Sequence, residues 1–463
     1  MLIRFLVTNF LSFKEETDFN MLTGNFKTHK NHVYKFGSIE LLKGTAIYGS
    51  NGAGKSNLVK AVKYLHRLVE KGSISVENPS NPFKLDPKTS QLPSKFEIEF
   101  TFKEKIYIFG VSVTNEIIEK EWLHLKGKQK GKEDELVFER VSKKGDSSCK
   151  IDINLKYIKT DEDRYWVKHY ESELLKPNEL FLTKVKSSKK IPAIHSVNYW
   201  FEQNLKIIFP GAKFAWIIKH LTERDEFRTF TNEIFSSFHT GVEEITTKKV
   251  SFDSFFSGLE GTLSLKEKII TACNTARSKG ESYVSIPAPF SGGELAFTLD
   301  DTSPSKLFVQ SLITKHKTSD NKLIDFDFED ESDGTIRLLD YIPALELILN
   351  RDVTILIDEM DRSIHPFLLK EFVRKIMDET NTKGQLIFTT HESNLLDFEI
   401  FRQDEIWFAE KDLSGSTHLY PLSDFNPRYD LDIRRGYLNG RFGAIPFLGN
   451  LKDLKWNIKH EEE

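Results

Sequence analysis

Residues 45–56 oblige this chain to build one particular local structure. Thr45–Tyr48 is a short run suited to a buried strand. It enters Gly49-Ser50-Asn51-Gly52-Ala53-Gly54-Lys55-Ser56, which fits the pattern G-x-x-x-x-G-K-S. Glycines permit the tight turn in which successive backbone N–H groups converge on one point, and a helix starting there adds the positive end of its dipole. That helix is legible in LVKAVKYLHRLVE, where Leu58, Val62, Leu65 and Leu68 recur at helical spacing. Strand, loop and helix in this order make a cradle for phosphate oxygens, with Lys55 set to hold β/γ-phosphates and the Ser56 hydroxyl set to ligate Mg2+. Residues 49–56 and the adjoining Asn57 are the candidate nucleotide-binding set.

A second stretch, TILIDE at 354–359, supplies carboxylates where such a loop needs them. A hydrophobic strand delivers Asp358 and Glu359 to its C-terminal edge, the edge at which α/β sheets bind ligands. Asp358 is the expected metal ligand beside Ser56. Glu359 is the expected catalytic residue, polarising water for a phosphoryl transfer that depends on positioning and charge stabilisation. The next strand, QLIFTTH, ends at His391, a second candidate catalytic residue placed to hydrogen-bond a γ-phosphate. Asp361 stands where ABC-type proteins put the D-loop that crosses to a partner subunit.

Composition narrows the class. The chain has 463 residues, 39% of them apolar, enough for one large core or two smaller ones. A net charge of −4 and a pI near 6.4 are not those of a general polyanion binder, so DNA contact would need a local patch. Two cysteines, Cys149 and Cys273, without metal-ligand spacing argue for a reducing cytosol and against a disulfide framework or zinc site read from cysteines. No run of 18 apolar residues occurs, so no transmembrane helix is expected, and MLIRFLVTNFLSF reads as a first strand rather than a signal peptide. The expected location is the cytoplasm.

Three segments follow from the patterning. Residues 1–190 read as a first lobe holding the glycine-rich loop and an antiparallel meander, in which Phe96, Ile98, Phe100 and Phe102 alternate with polar residues. Residues 191–285 read as a helical insertion, with Phe201, Leu205 and Ile208 on one helical face and Tyr199, Trp200 and Trp216 in its core. Residues 286–463 read as a second lobe in which strands return at KLFVQSLI and KLIDFDF, followed by alternating helix and buried strand. The fold class is therefore α/β, a P-loop NTPase of ABC-ATPase type with an antiparallel β subdomain and a helical insertion.

Spacing chooses the signature motif. A signature caps a helix that leads back to the acidic strand, so helix, loop and strand together require roughly 24 residues. Ser332-Asp333-Gly334-Thr335 stands 26 residues (332 to 358) before Asp358, whereas Ser291-Gly-Gly-Glu294 stands 67 (291 to 358). Ile336, Leu339, Ile342, Leu345 and Leu349 continue a helix from Thr335, which Pro343 should kink or shorten. Ser332 and Gly334 are the choice, and Ser291-Gly-Gly is read as a surface turn. The basic runs at 184–190 and 126–132 are read as solvated loops. Arg434, Arg435 and Arg441 suit surface pairs, inter-subunit pairs or a neighbour's phosphates equally.

LIRFLVTNFLSF, SNGAGKSN, SDGTIRLLDYIPAL, ILIDEMDRSIHP, FTTHESNLLD and RRGYLNGRFGAIPF together resemble the ABC/SMC-like ATPases of bacterial anti-phage defence, relatives of the OLD and RloA types and most like the AriA-type ATPases of PARIS systems. The resemblance covers residues 1–60 and about 330–450. It adds Asn9 to the nucleotide-binding candidates. It implies a homo-oligomer of ATP-hydrolysing heads in which Ser332, Asp333, Gly334 and Thr335 of one copy complete the site of another across bound ATP and Mg2+. It also implies a separately encoded toxic effector, of Toprim-like nuclease type, released on a phage protein's trigger. Only residues 392–463 follow His391 and they carry no E…DxD arrangement, so the nuclease is expected in trans. No Q-loop glutamine is evident: Gln91 reads as a turn, and NELFLTKV at 178–185 carries none. The alternative reading is a RecF/SMC-like DNA-repair or DNA-tethering ATPase, against which the acidic balance and short insertion weigh; a purely structural oligomer with vestigial hydrolysis is the third.

Overall fold

The computed structural model describes residues 1–445 except 76, 78, 128–132, 147, 213–216, 239, 258–262, 280–282, 288–293 and 300–306. They form two units. The first takes in residues 1–210, 351–360 and 373–463, and the second 211–350 and 361–372.

The first unit holds a six-stranded sheet in the order Leu205–Ile208, Thr354–Ile357, Gln385–Thr389, Gly44–Tyr48, Ile406–Lys411, Thr417–Pro421. Its first five strands are parallel and the last is antiparallel. Thr354–Ile357, Gln385–Thr389 and Gly44–Tyr48 are buried throughout, which is why they read as continuous apolar runs rather than as alternating ones. A seven-stranded antiparallel sheet runs Cys149–Ile153, Glu135–Ser142, Ile118–Leu125, Lys105–Val113, Ser94–Phe102, Leu2–Thr8, Thr17–Asn20. The helix Lys55–Lys71 unites the two sheets: Leu58, Val62, Leu65 and Leu68 share one apolar core with Phe96, Phe109 and Phe138 and with Leu356, Ile387 and Trp407. Its position is set by tertiary packing of its apolar face rather than by helix propensity.

Polar groups tie the sheets at the N-terminal ends of the parallel strands. Gln385 is buried; its Oε1 accepts from Leu2 N at 2.6 Å and from the Thr354 hydroxyl at 3.1 Å. Its Nε2 donates to the carbonyls of Leu2 at 3.1 Å and Leu42 at 3.0 Å. Both lone pairs and both N–H groups of this amide are thus engaged.

Two expectations are corrected here. Leu205 and Ile208, read as a helical face, belong instead to the strand Leu205–Ile208, which pairs with Thr354–Ile357. Four residues, three of them apolar, carry no period long enough to decide between helix and strand, and the neighbouring strand decides it. Trp200 and Phe201 do not form an insertion core. They lie in the first unit's core, with ring centroids 3.9 Å and 6.2 Å from Phe100.

The second unit is built around an antiparallel sheet ordered Val242–Ser251, Leu307–Lys317, Glu294–Leu299, Tyr283–Pro287, with Leu323–Asp327 also pairing with Leu307–Lys317. The expected insertion therefore carries strands as well as the helices Ile217–Glu223, Asp225–Ser237 and Leu263–Ser278. A helix spans Asp333–Asn350 without interruption, so Pro343 does not shorten it. Arg337 is buried on that helix, donating to the Tyr341 hydroxyl at 3.0 Å and to the Ala212 carbonyl at 3.2 Å.

The stretch 178–185 is pinned by a buried acid. Both Glu121 carboxylate oxygens accept backbone N–H groups, from Phe181 and Leu182, each at 2.8 Å. Burial pushes this carboxyl up to about 7 against the pull of Arg140 and those two donors. A carboxyl raised in the folded state stabilises most below its ordinary value of 4.5, and that contribution is lost as pH rises through about 7. Glu121→Leu strands two N–H groups and Arg140, and is expected to cost at least about 3 kcal/mol in denaturant unfolding. The same variant should flatten the pH dependence of stability between these two values; an unchanged slope would show that Glu121 does not titrate in this range.

Candidate functional site

The glycine-rich loop leaves the Gly44–Tyr48 strand with backbone geometry that only glycine takes freely. Gly49 has φ 156° and Gly54, the residue before the helix, φ 111°. A Cβ on Gly49 would meet the Ala409 carbonyl oxygen, and one on Gly54 would meet the Thr417 side chain. The loop is braced from outside. Thr417 donates to the Ala53 carbonyl at 2.8 Å and to Ser12 Oγ at 2.8 Å, and Asn57 Nδ2 donates to the same Ser12 oxygen at 2.8 Å.

Lys55 is only 5% exposed, and its Nζ donates to the carbonyls of Gly49 at 2.8 Å and Ser50 at 3.2 Å, with His391 Nδ1 at 3.5 Å. The ammonium is held within the turn that a phosphate would occupy. Asn51 and Gly52 are exposed at its tip, whereas Ala53 and Gly54 are buried against its base.

Asp358 arrives from the neighbouring strand. Its Oδ1 accepts from the Ser56 hydroxyl at 2.9 Å and from the Thr389 hydroxyl at 2.7 Å, while its own N–H donates to the Ile208 carbonyl at 2.9 Å. Glu359 follows in the left-handed region at φ 51°, a conformation costing about 1–2 kcal/mol for such a residue. It is held there because its N–H donates to Thr389 Oγ1 at 2.8 Å and the N–H of Met360 donates to the Thr389 carbonyl at 3.0 Å. His391 is exposed two residues beyond that strand. Lys55, Ser56, Asp358 and His391 are thus brought together, with Glu359 adjoining. Hydroxyl and carboxylate oxygens are the hard donors that Mg2+ selects, so Ser56 and Asp358 fit such an ion.

Sequence reasoning missed Thr389, Ser12 and Thr417. Thr389 alone left a signal, as a polar residue ending a buried strand two positions before His391.

Asn9 is placed differently from expectation. Its side chain is buried and directed into the 83–93 loop, donating to the carbonyls of Thr89 and Leu92 at 2.8 Å each and accepting from Phe83 N at 3.0 Å. That use fixes a loop of the first unit, and nothing in it turns Asn9 toward the glycine-rich turn.

Ser332 and Asp333 are exposed at the start of the Asp333–Asn350 helix in the second unit. Ser332 Oγ accepts from Thr335 N at 3.2 Å and meets the Thr335 hydroxyl at 2.9 Å, so it caps the helix. A Cβ on Gly334 would sit 2.9 Å from the Ser363 carbonyl oxygen, so a glycine lets the helix start lie against the turn that Asp361 opens. The Ser291-Gly-Gly turn, Trp216 and residues 128–132 of the second basic run lie outside the described residues. In the other basic run three lysines are paired: Lys184 with Glu179 at 3.1 Å, Lys186 with Glu202 at 3.3 Å, and Lys190 with Asp163. Arg434, Arg435 and Arg441 are exposed.

A family profile described as "AAA domain, putative AbiEii toxin, Type IV TA system" matches residues 45–152 and 201–397, more than half of the chain. No curated protein matches. Among solved structures, the SMC head bound to the C-terminal winged-helix domain of ScpA is similar at 14% identity and TM-score 0.42, over 91% of this chain and 97% of that one. The SMC head domain from Thermotoga maritima is similar at 13% identity and TM-score 0.37, over 91% and 98%. The Pyrococcus furiosus SMC head with an extended coiled coil is similar at 12% identity and TM-score 0.39, over 95% and 98%.

Thr389→Val keeps the side-chain shape but removes the hydroxyl between Asp358 and Glu359, leaving the Glu359 N–H without its acceptor. A loss of about 1–3 kcal/mol in unfolding free energy is expected. Wild-type stability in this variant would mean that Thr389 does not hold Glu359 in its strained conformation.

Proposed function

The chain belongs to the family described as AAA domain, putative AbiEii toxin, Type IV TA system, and from that premise we propose that it is the ATP-hydrolysing sensor and scaffold subunit of an anti-phage defence system, of the AriA type found in PARIS. The observation that carries this reading is the 2.9 Å hydrogen bond between Ser56 and Asp358, with Lys55 and His391 3.5 Å apart beside it. Two motifs far apart in sequence meet there at one edge of a parallel sheet.

In this reading the N–H groups of residues 49–57 and the Lys55 ammonium bind the ATP phosphates. Ser56 and Asp358 hold Mg2+, which when bound neutralises charge on the β- and γ-phosphates. Glu359 orients and polarises the attacking water, and His391 hydrogen-bonds the γ-phosphate. The exposed Ser332, with Asp333, Gly334 and Thr335, is donated by a neighbouring copy, and Asp361 lies in the turn that meets it. ATP then bridges cytoplasmic heads in a homo-oligomer. The assembled state holds a separately encoded toxic effector, of Toprim-like nuclease type, until a phage protein triggers its release. A toxin–antitoxin family description supports an effector partner. DNA contact is not part of this reading, since Lys184, Lys186 and Lys190 already face carboxylates.

Lys55→Ala should weaken ATP binding, read by calorimetry, by about tenfold or more, the loss expected of charge-assisted hydrogen bonds to phosphate. Glu359→Gln should bind ATP normally, lose turnover and accumulate assembled heads in light scattering. Unaltered turnover in that variant would remove Glu359 from the chemistry.

Ser332→Ala should lower turnover by about 10- to 100-fold, as loss of one donor to a developing charge does, and leave ATP binding by the monomer intact. Ser291→Ala should do neither. An equal defect from both would reverse the choice of signature.

A further inference from the structure

We propose that His29, His32 and Asp378 form a binding site for a divalent transition-metal ion of the zinc class, at the end of the parallel sheet opposite the nucleotide-binding loop. Each of the three side chains offers one ligand atom, and these atoms all lie within 4.8 Å of one another.

The second observation is an orphaned nitrogen. His32 is 0% exposed, and its Nε2 has no hydrogen-bond partner among the described residues. The nearest charged group is the Asp378 carboxylate, with Oδ1 at 4.0 Å. An unpaired polar atom in the interior costs about 1–3 kcal/mol. A metal ion at Nε2 would remove that cost.

The outer partners of both imidazoles are those that metal-ligating histidines use. His32 Nδ1 faces both Glu405 carboxylate oxygens at 3.0 and 3.1 Å. Glu405 Oε2 also accepts the Arg402 N–H at 2.7 Å, and a metal at Nε2 calls for the tautomer whose proton sits on Nδ1, facing Glu405. That tautomer leaves the Nε2 lone pair directed outward. His29 Nε2 lies 2.8 Å from the Phe398 carbonyl, to which it can only donate, leaving its lone pair on Nδ1. A carboxylate or carbonyl behind each imidazole fixes the tautomer and raises ligand basicity.

The backbone brings the three together. His29 precedes the turn Lys30–His32, stacks on His32 at 4.6 Å and adopts a left-handed φ of 46°. The Lys43 N–H donates to the His32 carbonyl at 2.9 Å, just before the Gly44–Tyr48 strand. Asp378 ends the helix Pro366–Asp378, where carbonyl groups favour a cation. The charged groups facing His32 are Asp378 and Asp404 on one side and Lys43 and Arg402 on the other, while burial raises the Glu405 carboxyl behind Nδ1 well above its ordinary value.

Two imidazole nitrogens and one carboxylate oxygen with a fourth position for water is a common three-ligand zinc set. Ligand atoms around zinc lie about 3.3 Å apart, given bonds of about 2 Å in a tetrahedron. Loading therefore requires the Asp378 side chain, 56% exposed, to swing inward. Five residues at about 3.3 Å each separate this site from Gly49, so its ion would clamp the 29–32 turn to the helix end rather than touch nucleotide.

The test uses the full chain, stripped with chelator and titrated with Zn2+ alone. One equivalent should bind and raise the melting temperature, and Co2+ in its place should give the intense visible bands of a tetrahedral site. His29→Ala and Asp378→Asn, at residues that are not fully buried, should each weaken Zn2+ by at least about tenfold, with metal-free melting temperature and ATP binding unchanged. Lys55→Ala should bind Zn2+ as the wild type does. Failure of the wild type to bind Zn2+, or equal binding by the two site variants, would overturn the proposal.

Discussion

A single carboxylate oxygen organises the C-terminal edge of the parallel sheet. Asp358 Oδ1 takes hydrogen bonds from Ser56 at 2.9 Å and Thr389 at 2.7 Å. One atom therefore joins the start of the Lys55–Lys71 helix, the strand carrying the acidic pair, and the strand beside it. Hydrogen bonds to a charged acceptor are worth about 1.5–3 kcal/mol each, and Asp358 receives two of them while only 3% exposed. A cation that drew the carboxylate away from either hydroxyl would shift three segments together.

Glu359 adds a strained residue to that junction. Its left-handed backbone is bought by Thr389, whose hydroxyl donates to Asp358 and accepts from Glu359. The chain then passes from the first unit to the second between Met360 and Asp361. The turn that begins at Asp361 belongs to the second unit. In the second unit that turn lies against Gly334, so the start of the Asp333–Asn350 helix and the turn adjust as one.

How much of this was legible followed from how local the information was. Gly49–Ser56 and Asp358-Glu359 read correctly as loop and strand end because motif, flanking strand and following helix are contiguous. The antiparallel meander read correctly because Phe96, Ile98 and Phe100 alternate in a sheet with one apolar face. Leu205–Ile208 misled because a strand of the central parallel sheet has no alternation to show, and its apolar residues fit a helical face equally well. Trp200 and Phe201 were recognisable as core but not as whose core, since their partner Phe100 is distant in sequence. Asn9 carried a plausible position and no sign that its amide closes the 83–93 loop. His29, His32 and Asp378 left no trace, because no spacing rule links a turn to the end of a helix more than three hundred residues later.

The two ends of the parallel strands are built on opposite principles. At the N-terminal end, Gln385, Thr354 and Leu2 satisfy one another inside the protein, and the 43–44 junction is closed by backbone hydrogen bonds to residues 32 and 386. At the C-terminal end, the Lys55 ammonium, the Ser56 hydroxyl and the Asp358 carboxylate converge on a turn whose tip is exposed. Strand ends that must hold still use up their polar groups on each other. Strand ends that must receive a charged ligand keep theirs convergent, cross-linked only by hydrogen bonds that the ligand can replace. His32 Nε2 lies at the N-terminal end, buried and without a hydrogen-bond partner among the described residues.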